Sequence, residues 1–287
     1  MGKPRTPLPH DQLVFSGGGL RCFWHGGWMA AVDDRFALSP ARVTGVSGGA
    51  LSAAAWIAGA ESRLFDRFAR ALRGTDANVT LTDLDDAHGR SPHQRVYAAI
   101  VADVLDDTAQ ARIADGPAFQ ISVATPGDGA GAALKALTAG TIYQVEQAIA
   151  PTPRPRLSAV AGVEQRLIDA RRAARDRVLP DLVRMAATVP PAFRPDEWEG
   201  PDTEEGAPIY DGGMVDKAPL PDPDGGRTLA LLTKLFRHLP DDDHVDYVQP
   251  SEAVLDGSKL DFTDPDLLRQ AWDQGEADGR RWLAENT

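Results

Sequence analysis

The sequence predicts an α/β fold: a three-layer α/β/α domain with a mainly parallel central sheet. Two stretches carry that reading. Gln12-Leu13-Val14-Phe15 is a compact apolar run that stops at Ser16-Gly17-Gly18-Gly19, the pattern of a buried strand entering a glycine loop. Arg42-Val43-Thr44-Gly45-Val46 then ends at Ser47, and an alanine-rich helical run, Leu51 to Ala60, follows at once. Strand, loop, helix, strand and helix in that order set parallel strands with helices packed on the sheet.

Composition bounds the rest. The 287 residues suffice for one large domain with a full core, and 43% apolar with 25% charged residues is ordinary for a globular chain. A net charge of −12 argues against a nucleic-acid partner, because neutralising phosphates needs a basic face. It argues equally against nonspecific adhesion to anionic membranes, unless a local basic patch provides it. The single cysteine, Cys22, allows no internal disulfide and no metal-ligating cysteine cluster, and it permits a cytoplasmic home. Residues 1–10 lack the apolar core of a signal peptide and read as a disordered leader. No apolar run reaches membrane-spanning length, so any lipid contact is peripheral.

Along the chain, Leu20 to Val32 has helical content despite His25-Gly26-Gly27 in its middle. Each glycine there costs about 1 kcal/mol against alanine, which close packing of the helix on the sheet would justify. Glu61 to Arg73 continues as helix, Gly74 to Pro92 is polar loop, and His93 to Asp107 carries apolar residues at helical spacing. Ala118 to Ala124 alternates as a strand, Gly127 to Gly131 breaks it, and Ala132 to Ile149 is another helix. Pro151-Thr152-Pro153-Arg154-Pro155 marks a boundary. From Leu157 to Leu182, apolar residues recur at three- and four-residue steps, predicting an amphipathic helix that ends or kinks near Pro180. Its other face holds Arg166, Arg171, Arg172, Arg175 and Arg177, either a solvated face paired with nearby acids or a basic surface for anionic headgroups. Thr228 to Thr233 is a late buried strand, and Asp264 to Leu283 closes as a helix.

The chemistry concentrates at Gly45-Val46-Ser47-Gly48-Gly49. A serine between glycines at a strand-to-helix junction fits a nucleophile elbow, with Gly45 and Gly49 lacking the Cβ atoms that would clash in the turn. The helix N-terminus behind it would favour an oxyanion. The bland alternative is an ordinary turn with an N-cap serine. About thirty residues upstream, Gly17-Gly18-Gly19 ends the neighbouring strand and could aim backbone N–H groups at the same oxyanion. Asp211 ends another strand, pinned by Gly212 and Gly213, and could be the base a serine nucleophile needs.

With these residues in place, the sequence resembles the patatin-like phospholipases. The likeness rests on Ser16-Gly17-Gly18-Gly19-Leu20-Arg21, on Gly45-Val46-Ser47-Gly48-Gly49, on Ala187-Thr188-Val189-Pro190-Pro191-Ala192-Phe193, and on Asp211-Gly212-Gly213-Met214-Val215-Asp216-Lys217-Ala218-Pro219. Leu260 to Pro265 and Ala271 to Gly275 look like the end of that domain in bacterial members. The resemblance implies a single domain over 11–287 with cap segments within about 92–193, and a Ser47–Asp211 dyad that uses no histidine and no metal cofactor. It implies an oxyanion hole from Gly17, Gly18, Gly19 and Arg21, and phospholipase A or lysophospholipase activity on membrane or micellar lipid. Two departures stand out. Cys22 occupies a position where glycine is common, and Lys217 replaces the asparagine usual before the Ala-Pro pair.

A Ser–His–Asp triad would draw on His238 or His244, although only one strand precedes the strand feeding Ser47. A nucleotide-binding loop lacks its third glycine, where Cys22 stands, and has no following Gly-Lys-Ser/Thr. A catalytically weak lipid-binding protein would keep the fold without the rate. Asp222-Pro223-Asp224-Gly225 and Asp241-Asp242-Asp243 lack the ligand spacing of a calcium loop and read as solvated loops. His25 reads as a packed, hydrogen-bonded core histidine.

Overall fold

The computed structural model describes residues 5–73, 92–126, 152–154, 163–189, 196–203, 206–221, 225–255 and 264–286. Its strands are β1 (Thr6–Pro7), β2 (Gln12–Phe15), β3 (Phe36–Ala37), β4 (Arg42–Val46), β5 (Ala118–Pro126), β6 (Val163–Asp169), β7 (Glu197–Trp198), β8 (Ala207–Pro208), β9 (Tyr210–Asp211), β10 (Thr228–Leu231) and β11 (Val245–Val248). The helices are α1 (Phe23–Asp33), α2 (Gly48–Ala58), α3 (Glu61–Arg73), α4 (Pro92–Val104), α5 (Asp107–Asp115), α6 (Ala170–Arg175), α7 (Leu179–Met185) and α8 (Asp266–Asn286).

The main sheet runs β11-β10-β2-β4-β5-β6, with β9 also paired to β5. The pairs from β11 to β5 are parallel, whereas β6 and β9 run antiparallel to β5. A mixed, mostly parallel sheet flanked by helices is the expected α/β/α arrangement. β2 lies inside the sheet between β10 and β4, which explains a run apolar at Leu13, Val14 and Phe15, all wholly buried. Leu13 and Phe15 point into the larger core with Trp24 and Trp28, while Val14 joins a smaller one with Ala218, Leu232 and Phe236. Phe15 pairs with Gly45, so the segments after β2 and β4 leave the same carboxyl edge of the sheet side by side.

Three expectations need correction. Leu157 to Leu182 is not one helix: its described part is β6, then α6, then α7. The open edge of β5 takes residues 163–169 in a seven-residue antiparallel ladder, a tertiary demand that overrides an ambiguous apolar spacing. Asp169 then caps α6, its Oδ1 accepting from the Arg171 and Arg172 N–H groups at 2.9 and 3.1 Å. Arg177, at φ 64°, turns the chain, and Pro180 sits at the start of α7 instead of ending a helix.

The second correction concerns Gly26 and Gly27, which pack against α8 and not against the sheet. A Cβ on Gly27 would lie 2.0 Å from the Trp272 carbonyl oxygen, and one on Gly275 would lie 2.1 Å from that of Trp24. The two backbones therefore touch, and the Trp24 indole N–H donates to buried Asp278 at 2.8 Å across the same seam. The third is the leader. From Thr6 the chain is part of the fold: β1 pairs with β3, and buried His10 meets Asp246 at 2.6 Å.

The arginines of α6 favour the solvated alternative. Arg171 Nε and one Arg175 terminal N–H group both donate to the Ala114 carbonyl at the end of α5, and Arg177 pairs with Asp107. The expected loop over 74–91 and helix over 132–149 lie outside the described residues, as do Pro190 to Phe193, Asp222 to Asp224 and Leu260 to Thr263.

Candidate active site

β4 delivers Ser47 to the sheet edge in a strained backbone state, φ 53° and ψ −133°, and α2 starts with the next residue. Such strain at a strand-to-helix corner lifts the serine hydroxyl clear of the sheet. The flanking glycines are required by contact. A Cβ on Gly45 would lie 2.6 Å from Ala50 Cα, and one on Gly49 would lie 2.4 Å from the Phe15 and Ser16 carbonyl oxygens. The elbow thus presses directly on the end of β2.

Sheet register brings Asp211 to Ser47. β4 pairs with β5 as far as Val46 opposite Ser122, and β6 occupies the other edge of β5. β9 takes the next positions on the β4 side, with Asp211 opposite Val123. Asp211 therefore stands just past the end of β4, where the chain turns out as Ser47. The Ser47 hydroxyl donates to Asp211 Oδ2 at 2.5 Å, and the Gly213 N–H donates to Oδ1 at 2.7 Å. The Asp211 N–H donates to the Thr188 carbonyl at 2.9 Å, which ties the Ala187-Thr188-Val189 motif to the carboxylate strand. Gly212 permits close passage over β5, since a Cβ there would lie 2.5 Å from the Ser122 carbonyl oxygen.

The glycine loop lies against the elbow. A Cβ on Gly17 would fall 3.1 Å from Ser47 Cβ, and one on Gly48 would fall 3.4 Å from the Gly19 nitrogen. The Gly17 N–H is engaged by the Lys217 carbonyl at 3.3 Å, so its donor is directed away from the serine. Gly18, Gly19 and Gly48 have no hydrogen-bond acceptor for their N–H groups among the described residues, and Gly19, Ser47 and Gly48 are the partly exposed members of an otherwise buried corner. Arg21 turns its Nε back to the Gly18 carbonyl at 3.4 Å, and burial lowers its pKa from the ordinary value. Cys22, buried beneath the loop, donates to the Ser16 carbonyl at 3.6 Å, filling space beside Gly48.

Supports that sequence reasoning missed come from distant segments. The Thr233 hydroxyl donates to the Gly17 carbonyl at 2.7 Å, and the Thr233 N–H donates to Ser16 Oγ at 3.0 Å. Asp216 Oδ1 accepts from the Ala218 N–H, and its Oδ2 accepts from Arg154 Nε at 3.2 Å. Burial pushes Asp216 above the usual carboxylate range, opposed by Arg154. Lys217 also donates its N–H to the Pro153 carbonyl, so the loop after Asp211 is braced by residues 153 and 154.

His25 is fully buried and its Nε2–H donates to the Leu231 carbonyl at 3.1 Å, in keeping with a core role. Burial pulls its pKa down to about 4. His244 lies at the opposite edge of the sheet, where its carbonyl accepts from the Thr228 N–H at the start of β10, and His238 is exposed. Among the described residues Ser47 Oγ has no histidine partner. Nor does any group of three or more His, Cys, Asp or Glu there have the arrangement to hold a metal. Tyr97 on α4 presents a buried hydroxyl without a partner among the described residues, its pKa raised chiefly by burial and further by the nearby Asp211 carboxylate.

The family profile for the patatin-like phospholipases matches residues 13–224, which spans β2, the elbow and the Asp-Gly-Gly loop. The chain belongs to the patatin-like phospholipase family. Lipid acyl hydrolysis is the general activity that comes with the family. No curated protein matches the chain in sequence. Among solved structures, VipD from Legionella pneumophila aligns at 12% identity with a TM-score of 0.45, covering 98% of this chain and 68% of VipD. Among the described residues, no helix of this patatin-like chain is long and apolar enough to cross a membrane.

Proposed function

We propose that this chain is a phospholipase A or lysophospholipase that cleaves ester-linked fatty acids through a Ser47–Asp211 dyad and an acyl-enzyme. The observation carrying the reading is the 2.5 Å hydrogen bond from Ser47 Oγ to Asp211 Oδ2 at a strained strand-to-helix corner. Ser47 Oγ attacks the ester carbonyl carbon while its proton passes to Asp211 Oδ2. The Gly18, Gly19 and Gly48 N–H groups, beside the positive end of α2, receive the oxyanion, and Arg21 holds the loop that presents them. Collapse of the tetrahedral intermediate breaks the C–O bond, and Asp211 returns the proton to the leaving alcohol. A water then adds to the acyl-enzyme with Asp211 again as base, releasing the fatty acid and restoring Ser47.

Gly17 anchors the loop in this scheme, because its N–H and its carbonyl are already engaged. The place of work is cytoplasmic, at the surface of a membrane or micelle. Incubation with a mixed panel of phospholipids, lysolipids and galactolipids, with mass spectrometry of the products, tests the reading. Free fatty acid and the matching lyso-product should appear with the wild type and vanish with Ser47→Ala. Hydrolysis surviving in Ser47→Ala would remove the basis for the assignment.

A further inference from the structure

The connection from β10 to β11 holds a feature that the catalytic scheme leaves unused. Among the described residues, Val96, Leu235 and Leu239 are the large apolar side chains left exposed, and two of the three lie in this connection, at 43% and 37%. The same eight residues, Thr233-Lys234-Leu235-Phe236-Arg237-His238-Leu239-Pro240, carry two fixed cations and a histidine with no acid between them. That is a local reversal in a chain of net charge −12. Arg237 and His238 are exposed and have no acidic partner among the described residues.

Position gives the patch its meaning. Thr233 grips the glycine loop through Gly17 and Ser16, and Gly17 abuts Ser47. Phe236 is the buried anchor: its N–H donates to Gln249 Oε1, just past the carboxyl end of β11, and the Lys234 ammonium lies 5.6 Å from its ring centre. The start of the connection is thereby fixed at the edge where the serine emerges. The acids that follow, Asp241 to Asp243, belong to the opposite edge, since Asp242 caps the His244 turn at the start of β11 and the His244 carbonyl bonds to the Thr228 N–H. Apolar tips interleaved with cations, on a segment that starts beside the glycine loop and reaches the opposite edge only at the acids two residues past Leu239, fit an interfacial surface.

We infer that Lys234 to Leu239 is the segment that docks the enzyme on an anionic phospholipid surface, with Leu235 and Leu239 entering the acyl boundary and Arg237 and Lys234 meeting headgroup phosphates. This rests on the lipid-hydrolase reading, and it names the surface that presents the lipid to Ser47. Neutral vesicles would gain only the apolar share of the contact; anionic ones gain both.

The test uses the full-length chain carrying Ser47→Ala, so that binding is read without lipid turnover, on sedimented vesicles of phosphatidylcholine alone and with added phosphatidylglycerol. The parent should prefer the anionic vesicles. Leu235→Ser with Leu239→Ser should weaken binding to both by about tenfold or more, through loss of inserted methylene groups. Arg237→Glu should weaken binding about tenfold on anionic vesicles and little on neutral ones. On the active chain, the ratio of vesicle hydrolysis to hydrolysis of a soluble short-chain ester should fall in step. Equal binding of parent and variants, or a parent indifferent to vesicle charge, overturns the docking surface. So does a loss confined to soluble-ester turnover. Failure of the wild type on every ester, with vesicle binding intact, would instead fall on the hydrolase reading alone.

Discussion

Replacing Asp211 by asparagine probes the dyad with least disturbance to shape. Asp211 Oδ1 accepts from the Gly213 N–H at 2.7 Å and Oδ2 accepts from Ser47 Oγ at 2.5 Å. In the variant, the Gly213 N–H holds the amide oxygen at the Oδ1 position, because two facing donors would repel there. The amide NH2 group then falls at the Oδ2 position and donates to Ser47 Oγ, leaving the hydroxyl proton without an acceptor. General-base catalysis is worth about 10²- to 10⁴-fold, and with no histidine partner the upper end applies, about 10³- to 10⁴-fold. At about 1.4 kcal/mol per tenfold, that raises the barrier by about 4 to 5.5 kcal/mol. Steady-state kcat/KM on a soluble ester and the labelling rate of Ser47 by a fluorophosphonate should fall together, with the melting temperature little changed. Ser47→Ala combined with Asp211→Asn should lose little more than either alone, since the two act as one unit. An Asp211→Asn enzyme keeping more than about a tenth of wild-type kcat/KM, or a collapse of activity in His238→Ala, would refute the assignment of the base.

Arg154→Gln should cut kcat about ten- to a hundredfold by letting the Asp216 loop shift, with Arg154→Lys recovering part of it; unchanged kcat in both would leave the brace without catalytic weight. Gly27→Ala places a methyl 2.0 Å from the Trp272 carbonyl oxygen and should destabilise by about 1–3 kcal/mol or more, read in thermal melts, whereas Gly225→Ala meets no heavy atom of the described residues within 4 Å and should be neutral. His25 holds a folded-state pKa of about 4 against an ordinary 6.5, so the unfolded chain takes up a proton that the folded chain refuses. Its stability contribution is complete above pH 6.5 and is lost as pH falls toward 4, by about 3 kcal/mol. Urea titrations at pH 7 and 4.5 should show a smaller drop for His25→Gln than for the wild type, and equal drops would contradict the assignment.

Ser47 and Asp211 were legible because each sits in a local signature, a serine between glycines and an aspartate before two glycines, whose backbone demands are met within a few residues. The central strands were legible for a similar reason: β2 is buried on both faces and shows an unbroken apolar run. What sequence could not show are the joins between distant segments. Val163 and Leu167 fit a helical face and a strand equally well, and the open edge of β5 decided between them. The glycines of α1 announced a close approach but not its partner, which lies about 250 residues downstream in α8. Thr233 and Arg154 are ordinary residues in ordinary loops, and only sheet register brings them under the glycine loop and the Asp211 turn.

The interior position of β2 has a consequence for biosynthesis. It is the first strand of the main sheet to leave the ribosome, yet one of its two neighbours, β10, follows roughly two hundred residues later, and α8, which covers the glycines of α1, later still. At about 5–20 residues per second, a nascent chain holds that apolar strand with one open edge for about 10–40 seconds. Trp24 and Trp28 wait longer still for their partner helix. A chain broken off between Asp216 and Thr228 would therefore carry the whole Ser47 elbow and Asp211 on a half-covered core, prone to capture by chaperones or to pairing with another copy through the β2 edge.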